Sequence, residues 1–191
     1  MLPKIQYLAL SDNDFGDSFL SILVNLTSLK VIDLCCCHLN SFVPIMPNLL
    51  DLNISFNDFE QVEYEQLWRR CHLKRMNFMS DVLEPNNSTT NMSECSEYAW
   101  EWLGLSTRGE IPKSLGRMPN LRELHMTYGI GGVLPEFLRN LRSLRVLDSS
   151  SNSLVGPLPT FHGKLTHVDL SLNNLNGSVP ESLRRLRSLQ V

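Results

Sequence analysis

The 191-residue sequence lacks an apolar run close to the roughly 18–20 residues that a membrane-spanning helix needs, and it shows no signal peptide. Its net charge is only −3, which argues against a nucleic-acid binder that relies on bulk positive charge. It contains no Gly-x-Ser-x-Gly elbow, no glycine-rich phosphate loop and no kinase signature, and its five histidines do not have metal-ligand spacing. We therefore expect no enzyme, no cofactor or metal site and no nucleic-acid partner.

Leucine, by contrast, is abundant: 34 of the 191 residues are leucine. An excess of one residue type suggests a repeat, and one template recurs: Leu, then apolar residues at +3 and +5, Asn at +8 and an apolar residue at +10. The units start near residues 5, 29, 49, 73, 100, 121, 144 and 165, and a ninth is truncated at 189. This predicts one domain over residues 1–191 with about eight coils. The unit at 121 is one residue short before Ile130, and the unit at 100 has lost about three residues.

The spacing predicts how each coil folds. Residues +2 to +6 alternate between inward and outward positions, as in a short strand, and each coil buries its apolar residues only against its neighbours. Stacked coils would place these strands side by side in one curved parallel sheet. We therefore expect an α/β repeat solenoid, a horseshoe with a parallel sheet on its concave face and short helical or 3₁₀ segments on its convex side.

The Asn at +8 has a structural role in this interpretation. The chain turns there while buried, and a side-chain amide can satisfy both N–H and C=O groups of adjacent coils. The predicted ladder consists of Asn13, Asn57, Asn152 and Asn173. Cys37 and Asp81 take the same place in their coils and should be weaker substitutes.

A second motif, Gly-x-x-Pro with an apolar residue before the proline, follows the first at 109–112, 132–135, 156–159 and 177–180, with a glycine-free copy at 41–44. Together the two motifs resemble the plant-specific extracellular leucine-rich repeat. That family includes ectodomains of receptor-like proteins and receptor kinases, and the polygalacturonase inhibitors. The resemblance covers nearly the whole chain except residues 84–99, a polar insert. The cysteine-rich caps usual in this family are not seen, so the sequence resembles a fragment of a longer protein.

The resemblance implies a ligand-recognition module of a plant cell-surface receptor, in defence or developmental signalling. It would lie on the extracellular side of the plasma membrane, and segments outside this chain would provide any membrane association. Its partners would be a peptide or protein ligand and a co-receptor kinase. One alternative is a secreted inhibitor of cell-wall-degrading enzymes, resembling the polygalacturonase inhibitors. Another is the repeat region of an intracellular immune receptor, against which the second motif and the glycosylation sequons argue.

The ligand would dock on the concave face, whose outward positions are +2, +4, +6 and +7. Interface anchors are usually aromatic residues or arginine. The predicted ligand-binding residues are Phe56, Arg75, Trp102, Glu123, His125 and Tyr128.

The remaining predictions concern covalent modification. Six Asn-x-Ser/Thr sequons favour a secretory history, at Asn25, Asn53, Asn86, Asn87, Asn91 and Asn176. Cys71 and Cys95 are about one coil apart, which allows a disulfide between neighbouring coils. Cys35, Cys36 and Cys37 then remain. A metal site built on these three and His38 would lack a second ligand pair at any usual spacing.

Overall fold

A sheet of eight parallel strands dominates the computed structural model, which describes residues 4–41, 43–59, 70–79, 98–106, 109–161 and 164–184. Its order is β1-β2-β3-β4-β5-β6-β8-β10. The strands are β1 (Tyr7–Ala9), β2 (Val31–Asp33), β3 (Asp51–Asn53), β4 (Arg75–Phe78), β5 (Trp102–Leu105), β6 (Glu123–Met126), β8 (Val146–Asp148) and β10 (His167–Asp169). The predicted solenoid with a parallel sheet is confirmed.

Each strand begins two residues after the first apolar residue of its coil, and its second residue lies in the core. The pairing is in register, with Ile32 beside Leu52 and Leu103 beside Leu124. Because side chains alternate across a strand, these central residues are fully buried while their neighbours face outward. The core is therefore one continuous row of mostly leucine side chains that runs the length of the solenoid.

Asn57 shows how the ladder connects the coils. Its Nδ2 donates to the main-chain oxygen of Leu34 in the preceding coil at 2.8 Å. Its Oδ1 accepts from the N–H groups of Cys37 and Leu39 at 3.0 Å each. The side chain is only 2% exposed, so it satisfies main-chain groups that water does not reach. Asn152 and Asn173 repeat the pattern, donating to the main-chain oxygens of Met126 and Ser149 and accepting from Ile130 and Leu154 N–H, respectively.

The first two ladder positions differ from these. Asn13 is exposed, and its side-chain nitrogen donates to Leu10 and Ser11 within its own coil. Cys37 is buried; its Sγ lies 3.1 Å from the main-chain oxygen of Leu10, and it accepts a hydrogen bond from the main-chain N–H of Asn13. A thiol thus replaces part of the amide's hydrogen bonding between the first and second coils. Asp81 lies outside the described residues.

A second parallel sheet, which the sequence reasoning did not predict, flanks the first. It has the order β7-β9-β11 and is built from β7 (Gly131–Val133), β9 (Ser153–Gly156) and β11 (Asn174–Leu175). A bridge between Gly109 and Ile130 extends it toward the preceding coil. All three strands come directly before or within the Gly-x-x-Pro motif, so this motif marks the second sheet.

The convex side carries short helices, as expected. They are a 3₁₀ helix at Asp17–Phe19, α1 (Leu20–Leu23), 3₁₀ helices at Lys113–Arg117 and Glu136–Asn140, and α2 (Glu181–Arg184). Pro112 and Pro135, which have extended backbones, immediately precede the two longer 3₁₀ helices, a place where a residue without an N–H is tolerated. Within the described ranges, no helix is both long and apolar enough to cross a bilayer.

Ile130 shows where the short coil loses its residue. It stands at +9 of its coil, yet it is fully buried, and its N–H donates to the ladder Asn152. Leu39 and Leu154 do the same from position +10. The deletion therefore falls in the turn, where a shorter path is possible, and the core position is retained. Most of the polar insert and the ninth start at 189 lie outside the described residues.

Candidate functional site

The most distinctive feature of the concave surface is a stack of three side chains across three neighbouring strands, which we call the concave stack: Arg75, Trp102 and His125. The guanidinium carbon of Arg75 lies 4.9 Å from the centroid of the Trp102 ring, a cation–π contact. The imidazole of His125 stacks on Trp102 with the ring centroids 5.2 Å apart and the planes at 28°. The parallel sheet produces this stack by placing each coil's outward residues beside those of the next.

Gly104 makes the stack possible. It pairs with Asn77 on one side and His125 on the other, in the row where other coils have a side chain. A Cβ placed on Gly104 would lie 2.6 Å from Cη2 of Trp102 and 2.7 Å from Oδ1 of Asn77. The absent side chain therefore lets the indole lie along the sheet and reach His125. Sequence reasoning missed this residue, although a glycine inside a strand often marks a close approach.

Carboxylates surround the stack at both ends. Asp51 Oδ2 lies 3.3 Å from Nε of Arg75, and burial raises the pKa of Asp51, opposed by Arg75 and reinforced by Asp33. At the other end, Glu123 Oε2 lies 3.6 Å from His125 Nε2, and Asp148 Oδ2 lies 3.7 Å from His125 Nδ1. The site thus offers one cation, a flat aromatic surface and an acidic end, a pattern suited to an extended ligand of mixed charge.

Two polar atoms at the edges of the stack have no hydrogen bond. Oδ1 of Asn77 and Nε2 of His125 are buried and have no partner within hydrogen-bond distance in the described part of the chain. Most buried polar groups in proteins are paired, so each exception needs an explanation. Both atoms lie in the row that contains Gly104, and Oε2 of Glu123 lies just beyond hydrogen-bond distance of His125 Nε2, at 3.6 Å.

Three charged residues lie beside the stack, each immediately before one of the strands β4, β5 and β6. Nζ of Lys74 lies 2.9 Å from Oε1 of Glu101, and Arg122 lies 3.4 Å from the other oxygen of the same carboxylate. The hydrogen bond from Lys74 lowers the pKa of Glu101, with the two charges adding to the effect. These exposed pairs contribute little stability, but they fix the charge pattern at one edge of the site.

Phe56 and Tyr128 occupy a different part of the surface from the rest of the predicted set. Both stand at +7, on the turns that follow β3 and β6, with φ of 53° and 57°. They are 44% and 59% exposed, an unusual degree for aromatic side chains. The structure therefore brings together Arg75, Trp102, Glu123 and His125, and it places Phe56 and Tyr128 along one margin of the concave face.

The sequons differ in how available their asparagines are. Asn25 and Asn176 are exposed. Asn53 is half-buried within β3, and its Nδ2, the atom that a glycan would modify, donates to Oδ1 of Asp33 at 2.9 Å. Asn86, Asn87 and Asn91 lie outside the described residues.

The cysteines fall into two groups. Cys71 is disulfide-bonded, whereas Cys35, Cys36 and Cys37 are free. The predicted partner of Cys71, Cys95, lies outside the described residues. No group of three or more His, Cys, Asp or Glu side chains suited to a metal ion occurs in the part of the chain that the structure describes.

Sequence comparisons connect this architecture with known proteins. The Leucine Rich Repeat family model matches residues 164–186. Protein STRUBBELIG-RECEPTOR FAMILY 1 of Arabidopsis thaliana is 41% identical over 63 residues, which are 32% of this chain and 8% of that protein. Receptor-like protein 32 of the same plant is 32% identical over 111 residues, 56% of this chain and 11% of that protein. The chain thus spans about a tenth of the length of these curated relatives.

Comparison with solved structures gives similar results. One matching structure is the ectodomain of the plant membrane receptor kinase GASSHO1/SCHENGEN3 from Arabidopsis thaliana, in complex with CASPARIAN STRIP INTEGRITY FACTOR 2. It matches with a TM-score of 0.78 and 25% identity, over 97% of this chain and 23% of that chain. The ectodomain of the Arabidopsis receptor kinase HAESA, in complex with a peptide hormone ligand, matches with a TM-score of 0.55 and 21% identity, over 99% and 41% of the two chains. At that identity the second match shows the fold alone.

Proposed function

We propose that this chain, a leucine-rich-repeat solenoid of the plant-receptor type, is a ligand-recognition module from the extracellular part of a cell-surface receptor. It binds a peptide or protein on its concave face and acts in defence or developmental signalling, with a co-receptor kinase as a further partner. It does so as a glycoprotein and not as an enzyme. The concave stack is the single observation that carries the proposal, because it is a preformed aromatic anchor on a rigid sheet.

Three physical properties support a binding role for the stack. The indole of Trp102 is held between a cation and an imidazole, so little side-chain entropy is lost when a ligand covers it. Arg75 is exposed, so its guanidinium is accessible to a ligand although its Nε lies 3.3 Å from Asp51. Tryptophan and arginine are also the residues most often found to dominate interface energetics.

One solved relative supports the class of ligand. The GASSHO1/SCHENGEN3 ectodomain, which is 25% identical to this chain, is in complex with CASPARIAN STRIP INTEGRITY FACTOR 2. An extended peptide could follow the row of outward side chains from the acidic end near His125 toward Arg75. Such a ligand would present a cationic group to Glu123 and Asp148 and a carboxylate to Arg75.

A selection experiment with peptides of random sequence tests the proposal. The 191-residue chain, secreted from insect or plant cells, is used to select binders from a displayed library of peptides about twelve residues long. We expect the selected peptides to lose about thirtyfold in affinity on Trp102→Ala, as for an anchor residue of about 2 kcal/mol. Titration calorimetry of individual peptides measures this loss.

Two matched variants sharpen the experiment. Tyr7→Ala removes an exposed aromatic side chain from the same row of the sheet at its far end, and it should change affinity by less than about twofold. Gly104→Ala keeps the indole but displaces it, so it should weaken binding while the circular dichroism spectrum stays unchanged. Peptides that bind Trp102→Ala as tightly as the parent chain, or a library that yields no binders, would contradict the proposal.

A further inference from the structure

Two adjacent thiols lie in contact on the turn that follows β2. The Sγ atoms of Cys35 and Cys36 are 2.8 Å apart, and both residues are half-buried. Neighbouring side chains in a strand point to opposite faces, so this contact requires the turn. Cys36 has a left-handed backbone with φ of 55°, which brings its side chain back beside that of Cys35.

The third cysteine of the run is not available in the same way. Cys37 is fully buried, and its Sγ contacts the main-chain oxygens of Leu10 at 3.1 Å and Cys35 at 3.3 Å. It serves as the ladder residue of its coil. The sequence Cys-Cys-Cys therefore consists of one structural thiol and one accessible pair.

From this geometry we propose that Cys35 and Cys36 form a reversible redox site, in which a small-molecule disulfide such as oxidised glutathione converts the two thiols into a cyclic disulfide. One cysteine thiolate attacks a sulfur of the oxidant and releases one glutathione thiolate, leaving a mixed disulfide on the protein. The second cysteine thiolate then attacks the protein sulfur of that mixed disulfide and releases the second glutathione. Two protein thiols are oxidised, one small disulfide is reduced to two thiols, and the two protons pass to the leaving thiolates.

The contact between the two sulfurs also affects Cys36. The hydrogen bond between the two thiols, together with burial, raises the pKa of Cys36 to about 12, and Asp12 adds to the effect. Either cysteine can make the first attack, because the 2.8 Å contact places each sulfur within reach of the other.

Ring closure would change the hydrogen bonds that this turn makes with both neighbouring coils. The peptide group between the two cysteines accepts a hydrogen bond from Asp12 N–H at 2.9 Å through its oxygen, and it donates one to Ser55 O at 3.0 Å through its nitrogen. The Cα atoms of adjacent residues are about 3.8 Å apart, less than the roughly 4.4–6.8 Å usual for a disulfide. The ring is therefore strained and readily reduced, and it reorients a turn that stands in the same row as Phe56.

Mass spectrometry of one tryptic peptide tests the proposal. Cleavage after Lys30 and Arg69 gives a peptide, 31–69, that contains Cys35, Cys36 and Cys37 and no other cysteine. The folded chain is equilibrated in glutathione buffers from fully reduced to fully oxidised, denatured, labelled with N-ethylmaleimide and digested. We expect three labels per peptide in the reduced buffer, and one label with a loss of two hydrogens in the oxidised buffer.

Two variants identify which cysteines pair. Cys37→Asn restores the usual ladder residue and should still lose two hydrogens, going from two labels to none. Cys36→Ser cannot close the ring, so it should keep two labels in the reduced buffer and show one label and one glutathione adduct in the oxidised buffer. The proposal is overturned if the parent peptide keeps three labels throughout, if it stops at a glutathione adduct, or if Cys36→Ser still loses two hydrogens.

Discussion

The first coils of this solenoid, residues 4–59, and the last, residues 109–184, share one sheet but differ in everything beside it. Both regions place one strand per coil in the eight-stranded sheet. Among the described residues, only the last region also contributes to the second sheet, through β7, β9 and β11. Both regions have the ladder; the coils of the last region are also joined by two sheets, whereas beside the eight-stranded sheet the first region has the main-chain bond from Asp58 N–H to Leu39 O at 2.8 Å.

A left-handed glycine packed against the preceding coil accompanies the second sheet. Gly156 ends β9 with φ of 80°, and a Cβ there would lie 3.0 Å from Cγ1 of Val133 in the preceding coil. A left-handed turn and close packing both favour glycine at that point. Asp17 and Ser41 take the same place in the first two coils, and neither has a left-handed backbone. The chain consequently leaves the turn along another path, and no second strand forms there in the described residues.

The comparison predicts that the first region depends more on its ladder. In the preceding coil, Asn57→Ala would remove the partner of two N–H groups and one main-chain oxygen, whereas Asn152→Ala would remove that of one N–H group and one main-chain oxygen. At about 1–3 kcal/mol for each buried group left unpaired, we expect Asn57→Ala to lower the free energy of unfolding by about 3 kcal/mol or more. Asn152→Ala should have a smaller effect.

Urea unfolding measures both changes, and amide hydrogen exchange shows which coils open. Asn13→Ala is the control, because Asn13 is exposed and bonds only within its own coil. Equal losses for Asn57→Ala and Asn152→Ala would mean that the second sheet adds nothing to the last region.

The second prediction concerns the glycine itself. Gly156→Ala should destabilise the protein by about 1–2 kcal/mol, because an L-residue is strained at this φ and the methyl group would press on Val133. Faster amide exchange in β7, β9 and β11 than in the eight-stranded sheet would locate the damage. Ser41→Gly is the matched change in the first region. It should give no protected second strand, because the coil of Asp17 would still have no strand with which the new one could pair.

The smallest expected effect is a gain. Cys37→Asn would place an amide where a thiol now contacts Leu10 and Asn13, and it would add a second donor and a stronger acceptor. We expect an increase of about 1 kcal/mol in the free energy of unfolding, roughly the value of one net hydrogen bond. A decrease would show that the site has adapted to sulfur and cannot accommodate the larger amide.

Much of the site could be predicted from the sequence, but some of its contacts could not. The repeat spacing predicted that Arg75, Trp102 and His125 face outward from adjacent strands, because a period of two fixes the face of each residue. It did not predict that the indole would lie across Gly104, since that depends on Asn77 and Met79 in the preceding coil. It placed Phe56 and Tyr128 on the same concave face, and their left-handed turns put both along its margin.

The regular recurrence of leucine and asparagine by itself determined the solenoid, the parallel sheet and the rigid concave surface. Periodicity is enough for this because every coil buries the same apolar positions against a neighbouring coil of the same pattern. Only the tertiary structure decided which side chains stack and which two thiols meet. Those features depend on the φ of single residues and on contacts between coils more than twenty residues apart, and no local pattern encodes them.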